Sequence, residues 1–189
     1  SIGGYDADRK PYIFVDFACG TWGGRPWADG LQGNSNIFAN MASQSVEVIE
    51  AEQPIEILAY EFLTDRAGAG QYRGGAPYRR DYRFLEKEAI LQVRSDRRSV
   101  RPYGLYGGRA GKPSMNYLNP DANNQVLTTK PTMNISHGDV FRHELAGGGI
   151  LDVGGYTASA ARCVAGAAAG TTFLDPQEIK ACGVIGESG

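Results

Sequence analysis

The sequence contains no apolar run of the roughly 18 residues needed to cross a bilayer, and no charged-then-apolar leader at its start. Charge of one sign is also missing. The formal net charge is −2, so no global field recruits nucleic acid or an anionic membrane. Cysteine is scarce. Cys19, Cys163 and Cys182 are odd in number, widely spaced and without a C-x-x-C, which argues against a disulfide scaffold or a zinc knuckle. That usage favours a reducing compartment, and the expected location is cytoplasmic. There are only two histidines, His137 and His143. Asn134-Ile-Ser136 matches the glycosylation sequon, but with no secretion signal beside it the match carries no weight.

Glycine, by contrast, is abundant: 26 residues, against a background of about 7%. It follows no period, and 42% of the chain is hydrophobic, so neither collagen nor disorder fits. At 189 residues the chain is long enough to bury a sizeable core as one domain. It opens on Ser1 rather than Met, which reads as a processed or trimmed chain or one lying inside a longer product.

The stretch Asp65 to Leu85 is the pivot of the pattern. Four glycines (Gly68, Gly70, Gly74 and Gly75) lead to Pro77, after which Tyr78, Arg80, Tyr82 and Phe84 fall on one face of a period-2 segment. Arg79, Asp81 and Arg83 fall on the other. The basic cluster from Arg73 to Arg83, interleaved with tyrosines, has the residue types of a base-stacking surface, but a two-faced strand explains it more simply.

Residues 1–10 read as polar turns, and Tyr12–Ala18 as a buried strand. Gly20–Gly30 is a long loop carrying both tryptophans. Asn34–Gln44 has room for one helical turn. Val46–Ala51 and Ile55–Leu63 are β-branched, begin with alternation, and are expected to be strands. Ala89–Arg94 and Val140–Leu145 alternate as well, and Asn116–Leu118, Gln125–Leu127 and Thr132–Ile135 are shorter candidates. Pro102–Pro113 is a second glycine-rich loop. Beyond residue 150 the character changes: Ala158–Ala169 is alanine-rich, and Asp175-Pro-Gln-Glu178 has the chemistry of a helix start, with Gly183 as its C-terminal cap. The expected fold is mainly β, a glycine-rich sandwich or barrel-like domain over 1–150 with a short α-helical appendage over 151–189.

Two nucleotide lookalikes fail. Gly68-Ala-Gly-Gln-Tyr-Arg-Gly74 has one residue too many for G-x-G-x-x-G and precedes a strand rather than a helix. Gly111-Lys-Pro113 resembles the end of a P-loop, but Tyr106 stands where the first glycine belongs and Pro113 where a magnesium-binding hydroxyl should be. His137 and His143 would share a strand face only if the strand were continuous through Gly138, and a metal site would need Asp139, Glu144 or other carboxylates to converge on them. Ser95-Asp-Arg-Arg98 has the arginines to grip a carboxylate or phosphate, although a salt-bridged turn is the simpler expectation. No Ser-His-Asp or Cys-His arrangement suggests itself.

Several segments together resemble the C-terminal part of the hydantoinase B/oxoprolinase family. They are Trp22-Gly-Gly-Arg-Pro, Asp29-Gly30, Asn34-Ser35 with Asn40, Val46-Glu-Val-Ile-Glu50 and Gly68-Ala-Gly-Gln-Tyr-Arg-Gly-Gly75. Ser95-Asp-Arg-Arg98, Tyr103-Gly-Leu-Tyr-Gly-Gly108, Gly138-Asp139 and Gly147-Gly-Gly149 complete the set, in family order from about residue 10 to 150. The resemblance implies a component of an ATP-dependent hydrolase or carboxylase acting on a cyclic amide or a ketone. ATP would be bound by a hydantoinase A-type partner. Family members are several times longer, and their metal-binding histidines and aspartates lie upstream of this region. The chain itself is therefore expected to bind no cofactor, with ATP and a divalent metal in the complete hetero-oligomer and no nucleic-acid or membrane partner. Its catalytic residues are not assigned. Trp22, Arg25, Arg73, Asp96, Arg97 and Arg98 are the candidates for substrate or interface binding. After Gly149 the family's usual Tyr-Gly-Asp-Pro gives way to Ile150-Leu-Asp-Val, so the resemblance stops there. Two other readings are a non-catalytic β interaction module and a free-standing metalloenzyme using His137 and His143.

Overall fold

Side-chain alternation builds two antiparallel sheets over one core. The structure is a computed structural model that describes residues 1–6, 8–35, 38–39 and 41–151. The first sheet contains β1 (Ile2–Tyr5), β2 (Pro11–Phe14), β5 (Glu88–Gln92) and β8 (Thr132–Ser136), in the order β2-β1-β5-β8. The second contains β3 (Ile55–Phe62), β4 (Tyr78–Phe84), β6 (Met115–Leu118), β7 (Gln125–Leu127) and β9 (Val140–Glu144), in the order β3-β4-β9-β6-β7. Neither sheet closes on itself, so the architecture is the sandwich and not the barrel. Ile2, Phe14, Leu91 and Ile135 from the first sheet meet Ile55, Tyr82, Phe84, Leu118 and Phe141 from the second in a single hydrophobic cluster.

Two of the passages between sheets are adjacent corners, 85–87 after β4 and 137–139 after β8. Gly138, at φ +86°, donates its N–H to Phe84 O at 2.8 Å, and His137 Nδ1 meets Leu85 O at 2.6 Å. His137 therefore ties one corner to the other.

β4 alternates as its residue pattern predicts. Tyr78, Arg80, Tyr82 and Phe84 are all buried. Its charged face is a ladder of cross-strand ion pairs: Arg79 with Glu61 at 3.0 Å, Arg83 with Glu56 at 2.8 Å, and Arg142 with Asp81 at 2.8 Å. These basic residues are spent on carboxylates within the sheet, as a structural strand face requires.

Three expectations fail at the level of single elements. The buried strand expected over Tyr12–Ala18 is β2, which ends at Phe14 and lies at the edge of its sheet, so Ile13 is 77% and Phe17 63% exposed. Residues 1–10 contain strand β1 rather than turns alone. The stretch expected to be a strand from Val46 to Ala51 is a helix, α1 (Val46–Glu52). The Ser45 hydroxyl caps it, accepting the Val48 N–H at 3.4 Å. Ile49 on its inner side is completely buried, whereas Val48 is 41% exposed, so the 3.6-residue period decides and not the alternation. The helices expected at Ala158–Ala169 and from Asp175, like Asn40, lie outside the described residues.

The glycine-rich segments form a second packed unit without strands. Residues 22–31, 66–75, 102–112 and 147–151 lie side by side and exchange lateral backbone hydrogen bonds. Gly24 N–H donates to Gly149 O at 2.9 Å, Gly75 N–H to Trp22 O at 2.8 Å, Gly148 N–H to Gly75 O at 3.2 Å and Gly147 N–H to Lys112 O at 3.1 Å. The reason for glycine here is approach. A Cβ on Gly148 would fall 2.8 Å from the Gly75 nitrogen and 3.0 Å from the Gly74 Cα, closer than side-chain carbon can pack. None of the four pivot glycines has a positive φ.

Candidate functional site

The glycine unit and the open end of the second sheet enclose a cleft of about 720 Å³, within the range of small-molecule sites. His143 and Leu145 at the end of β9 line it together with the run Gly147–Gly149. Thr21, Gly23 and Gly24 form one wall, and Pro102, Tyr103 and Leu105 another. Arg94, Ser95, Asp96, Arg97 and Ser114 make the polar side.

The backbone of the polar loop is pinned at several points. Ser95 N–H donates to Thr129 O at 2.9 Å and Ser114 N–H to Arg97 O at 3.2 Å. The Ser114 hydroxyl donates to Asp96 O, and the Arg98 guanidinium to Leu127 O. Arg97 holds a left-handed φ of +63°, an uncommon conformation for a residue with a side chain. The salt-bridged turn expected here does not form: among the described residues Arg94, Asp96 and Arg97 make no ion pair. Clamping comes from the backbone and from Arg98, and the Asp96 and Arg97 side chains have no partner among the described residues.

Strand pairing sets a polar row beneath the cleft. Tyr60, Arg80, His143 and Asn116 are cross-strand neighbours on β3, β4, β9 and β6. Arg80 is 1% exposed. It pairs with Asp16 at 2.5 Å, and its guanidinium carbon lies 3.9 Å from the Tyr60 ring centroid. Asp16 also accepts the Tyr82 hydroxyl at 2.6 Å. The guanidinium pKa is raised: burial opposes its charge, while Tyr82 and Asp16 favour it.

At the other end, Asn116 is 1% exposed. Its amide nitrogen donates to Thr128 O at 2.9 Å and to Ser95 Oγ at 2.8 Å. A backbone carbonyl can only accept, so the amide nitrogen must be on that side. The amide oxygen then faces His143 Nδ1 at 2.6 Å, which must carry the imidazole proton. Nε2 is left with its lone pair free and has no hydrogen-bond partner among the described residues. Burial pushes the His143 pKa down to about 4, with the Asp16 charge opposing. Thr21 Oγ1 is also buried with no hydrogen-bond partner among the described residues.

Of the residues singled out in the sequence, Asp96 and Arg97 come together at the cleft. The others hold loops. Trp22 Nε1 donates to Ser35 O at 2.7 Å. Arg25 caps its own turn through Asp29 O at 2.7 Å. Arg73 joins the pivot to the first loop, its backbone N–H reaching Asp29 Oδ1 at 2.9 Å and its Nε reaching Oδ2 at 3.2 Å. His143, Asn116, Arg94 and Ser114 were not singled out as a group, because strand pairing joins the first two and loop packing brings the others to the same cleft. His143 lies on β9, whereas His137 sits in the corner after β8, so the two share no strand face. Among the described residues no three His, Cys, Asp or Glu side chains gather to hold a metal ion, and no helix is long and apolar enough to cross a membrane.

Solved structures share this fold. A nucleotide-free acetone carboxylase aligns with a TM-score of 0.67 at 16% identity, covering 97% of this chain and 32% of that one. The ATP-dependent caprolactamase of Pseudomonas jessenii aligns at 0.69 and 21% identity, covering 100% and 34%. An uncharacterized protein of Methanocaldococcus jannaschii is 38% identical over 55% of this chain and 18% of its own length. The B component of a putative D-/L-hydantoinase from a Pseudomonas strain is 27% identical over 56% and 18%. Arabidopsis thaliana 5-oxoprolinase 1 is 28% identical over 73% and 11%. The chain thus spans less than a fifth of the length of these curated relatives. A family model described as hydantoinase B/oxoprolinase matches residues 1–151, which takes in all the described strands and the walls of the cleft: the chain belongs to the hydantoinase B/oxoprolinase family.

Proposed function

We propose that this chain is part of the hydantoinase B-type component of an ATP-dependent hydrolase or carboxylase. The substrate is a cyclic amide, such as a hydantoin, oxoproline or another lactam, or a ketone. In this reading ATP and a divalent metal are bound by the rest of the assembly, ATP by a hydantoinase A-type partner. The chain contributes the cleft, with Asp96 and Arg97, to a composite site, and the setting is cytoplasmic. The observation that carries the reading is the family match over residues 1–151, a domain much shorter than its relatives. The pinned loops agree with it, because rigid scaffolds that present loop side chains are where binding residues concentrate.

A second reading is a non-catalytic β scaffold. What favours it is the use of Arg25, Arg73 and Arg98 as loop staples rather than as free binding groups. Tagged chain is expected to recover larger hydantoinase-type subunits from its source extract, and ATP hydrolysis by the recovered assembly should depend on Arg97. Recovery of no such subunit overturns the assembly. Recovery with an Arg97→Gln assembly as active as the parent selects the scaffold.

A further inference from the structure

In the first sheet the ladder of β1 stops where both of its neighbours go on. β1 lies between β2 and β5. Its ladder with β5 closes at Ser1, whose nitrogen donates to Gln92 O at 2.8 Å and whose carbonyl accepts the Gln92 N–H at 2.9 Å. In an antiparallel ladder, successive residues turn their backbone groups to opposite sides. Ile2 therefore faces Phe14, its partner on β2, and Asp16 and Ala18 are the next positions to turn that way. Across the gap, Val93 and Ser95 donate to Pro131 O at 3.0 Å and Thr129 O at 2.9 Å, away from β1. Arg94 between them turns towards it. Among the described residues neither Val15 to Thr21 nor Arg94 makes a backbone–backbone hydrogen bond. The result is a slot one strand wide, about 10 Å between its flanks. Ala18 and Gly20 from one flank, and Arg94 and Ser95 from the other, line the cleft at this end.

The side chains of the first flank carry the same message. Phe14 is buried and Asp16 turns inward to Tyr82 and Arg80, while Ile13, Val15 and Phe17 are exposed on the outward face. Exposed apolar side chains beside unpaired backbone are what a further strand covers. The residues that would repel one, a lysine or a proline, are missing from Val15 to Thr21, and the one charge there, Asp16, is neutralised by Arg80.

We propose that this slot takes one extended strand of polypeptide from the rest of the hydantoinase B-type component. The strand runs in line with β1 and antiparallel to both flanks. It bonds to the backbone of Asp16 and Arg94 and sets apolar side chains beside Val15 and Phe17, as strand addition to an open sheet edge does. Its source is argued from length: the chain covers less than a fifth of its curated relatives and about a third of the two solved structures. The inference deepens the functional reading above and rests on it for that source. Once filled, the slot gives the cleft a wall that this chain does not supply, which is the geometry of a composite site.

The test reads amide hydrogen exchange at Asp16 and Arg94 in two settings. In the first, the full chain carries the extension Thr-Val-Thr-Val-Thr ahead of Ser1, and the register that pairs Ile2 with Phe14 sets its second valine opposite Phe17. Both amides should exchange at least about tenfold more slowly than in the parent. A Thr-Pro-Thr-Pro-Thr extension, which cannot join a ladder on both sides, should leave them unchanged. In the second, the assembly recovered with tagged chain should protect the same two amides. Phe17→Lys should lower that recovery by about tenfold. Ile90→Lys is the control, since Ile90 is exposed on the same outward face but lies on a strand paired on both sides; it should recover as the parent does. Amides that stay fast with the valine extension, or in the recovered assembly, overturn the proposal. Equal losses for the two lysine variants also overturn it, because they put the partner on the sheet face and not in the slot. Recovered subunits with unprotected amides sink only the slot, whereas protection by the extension with no subunit recovered sinks the assembly and, with it, the source of the strand.

Discussion

Gly148 donates its N–H to Gly75 O at 3.2 Å from a position where a Cβ would stand 2.8 Å from the Gly75 nitrogen. That one contact summarises the glycine unit, in which segments meet backbone to backbone and leave no room for a methyl group. Gly148→Ala is therefore expected to cost about 3 kcal/mol by overpacking. Gly20→Ala is the control, since nothing lies within 4 Å of its Cβ position, and it should stay within about 0.5 kcal/mol of the parent. Denaturant midpoints of the two variants check this; equal midpoints would remove the packing argument.

The Asp16–Arg80 pair makes a second prediction. With Arg80 at 1% exposure, Asp16→Ala strands a buried guanidinium and should cost about 3–5 kcal/mol. Combining it with Arg80→Met removes the charge as well, and the double variant should recover much of the loss. A double-mutant cycle on unfolding free energies reads the coupling, and strict additivity would show that the pair is not a buried ion pair in solution.

His143 sets a pH dependence. Its pKa falls from 6.5 to about 4 in the folded chain, so above 6.5 both folded and unfolded forms carry a neutral ring and it adds no slope. Between 6.5 and about 4 only the unfolded form takes up the proton, so stability falls as pH falls, by up to about 3 kcal/mol in all. Carboxylates titrate over the same range, so the difference between parent and His143→Gln isolates the ring. That difference should shrink as pH drops from 6.5 towards 4 and level off below; a constant difference would mean that the ring titrates normally.

Helix α1 supplies a smaller effect. Ser45→Ala should destabilise by about 0.5–1 kcal/mol, at the low end for a cap whose hydrogen bond is long, while Ser45→Asn should restore it. Thermal midpoints of the two variants decide, and a loss shared equally by both would assign the effect to something other than capping.

The misreading of that helix shows where local pattern stops. Val46-Glu-Val-Ile has strand chemistry by residue type, yet the segment follows a Ser cap and has one inward position, Ile49, so a single helical turn buries what needs burying. Glu50 then uses its carboxylate to accept the Ile57 N–H at 2.8 Å, joining the helix to the strand that follows. Neither contact is visible in a propensity.

The sequence by itself determined the β class, the two faces of β4, the break in the strand pattern at Gly138 and the family, because alternation, turn chemistry and ordered motifs are local properties of a chain. Tertiary structure alone decided that the glycines serve close backbone approach, and that Arg98, Arg73 and Arg25 are staples while Arg97 makes no ion pair among the described residues. It also decided that His143 stands beside Asn116 across β6 and β9. Those relations join residues far apart in the chain, and strand register, which fixes every cross-strand neighbour at once, is set by how the whole core packs.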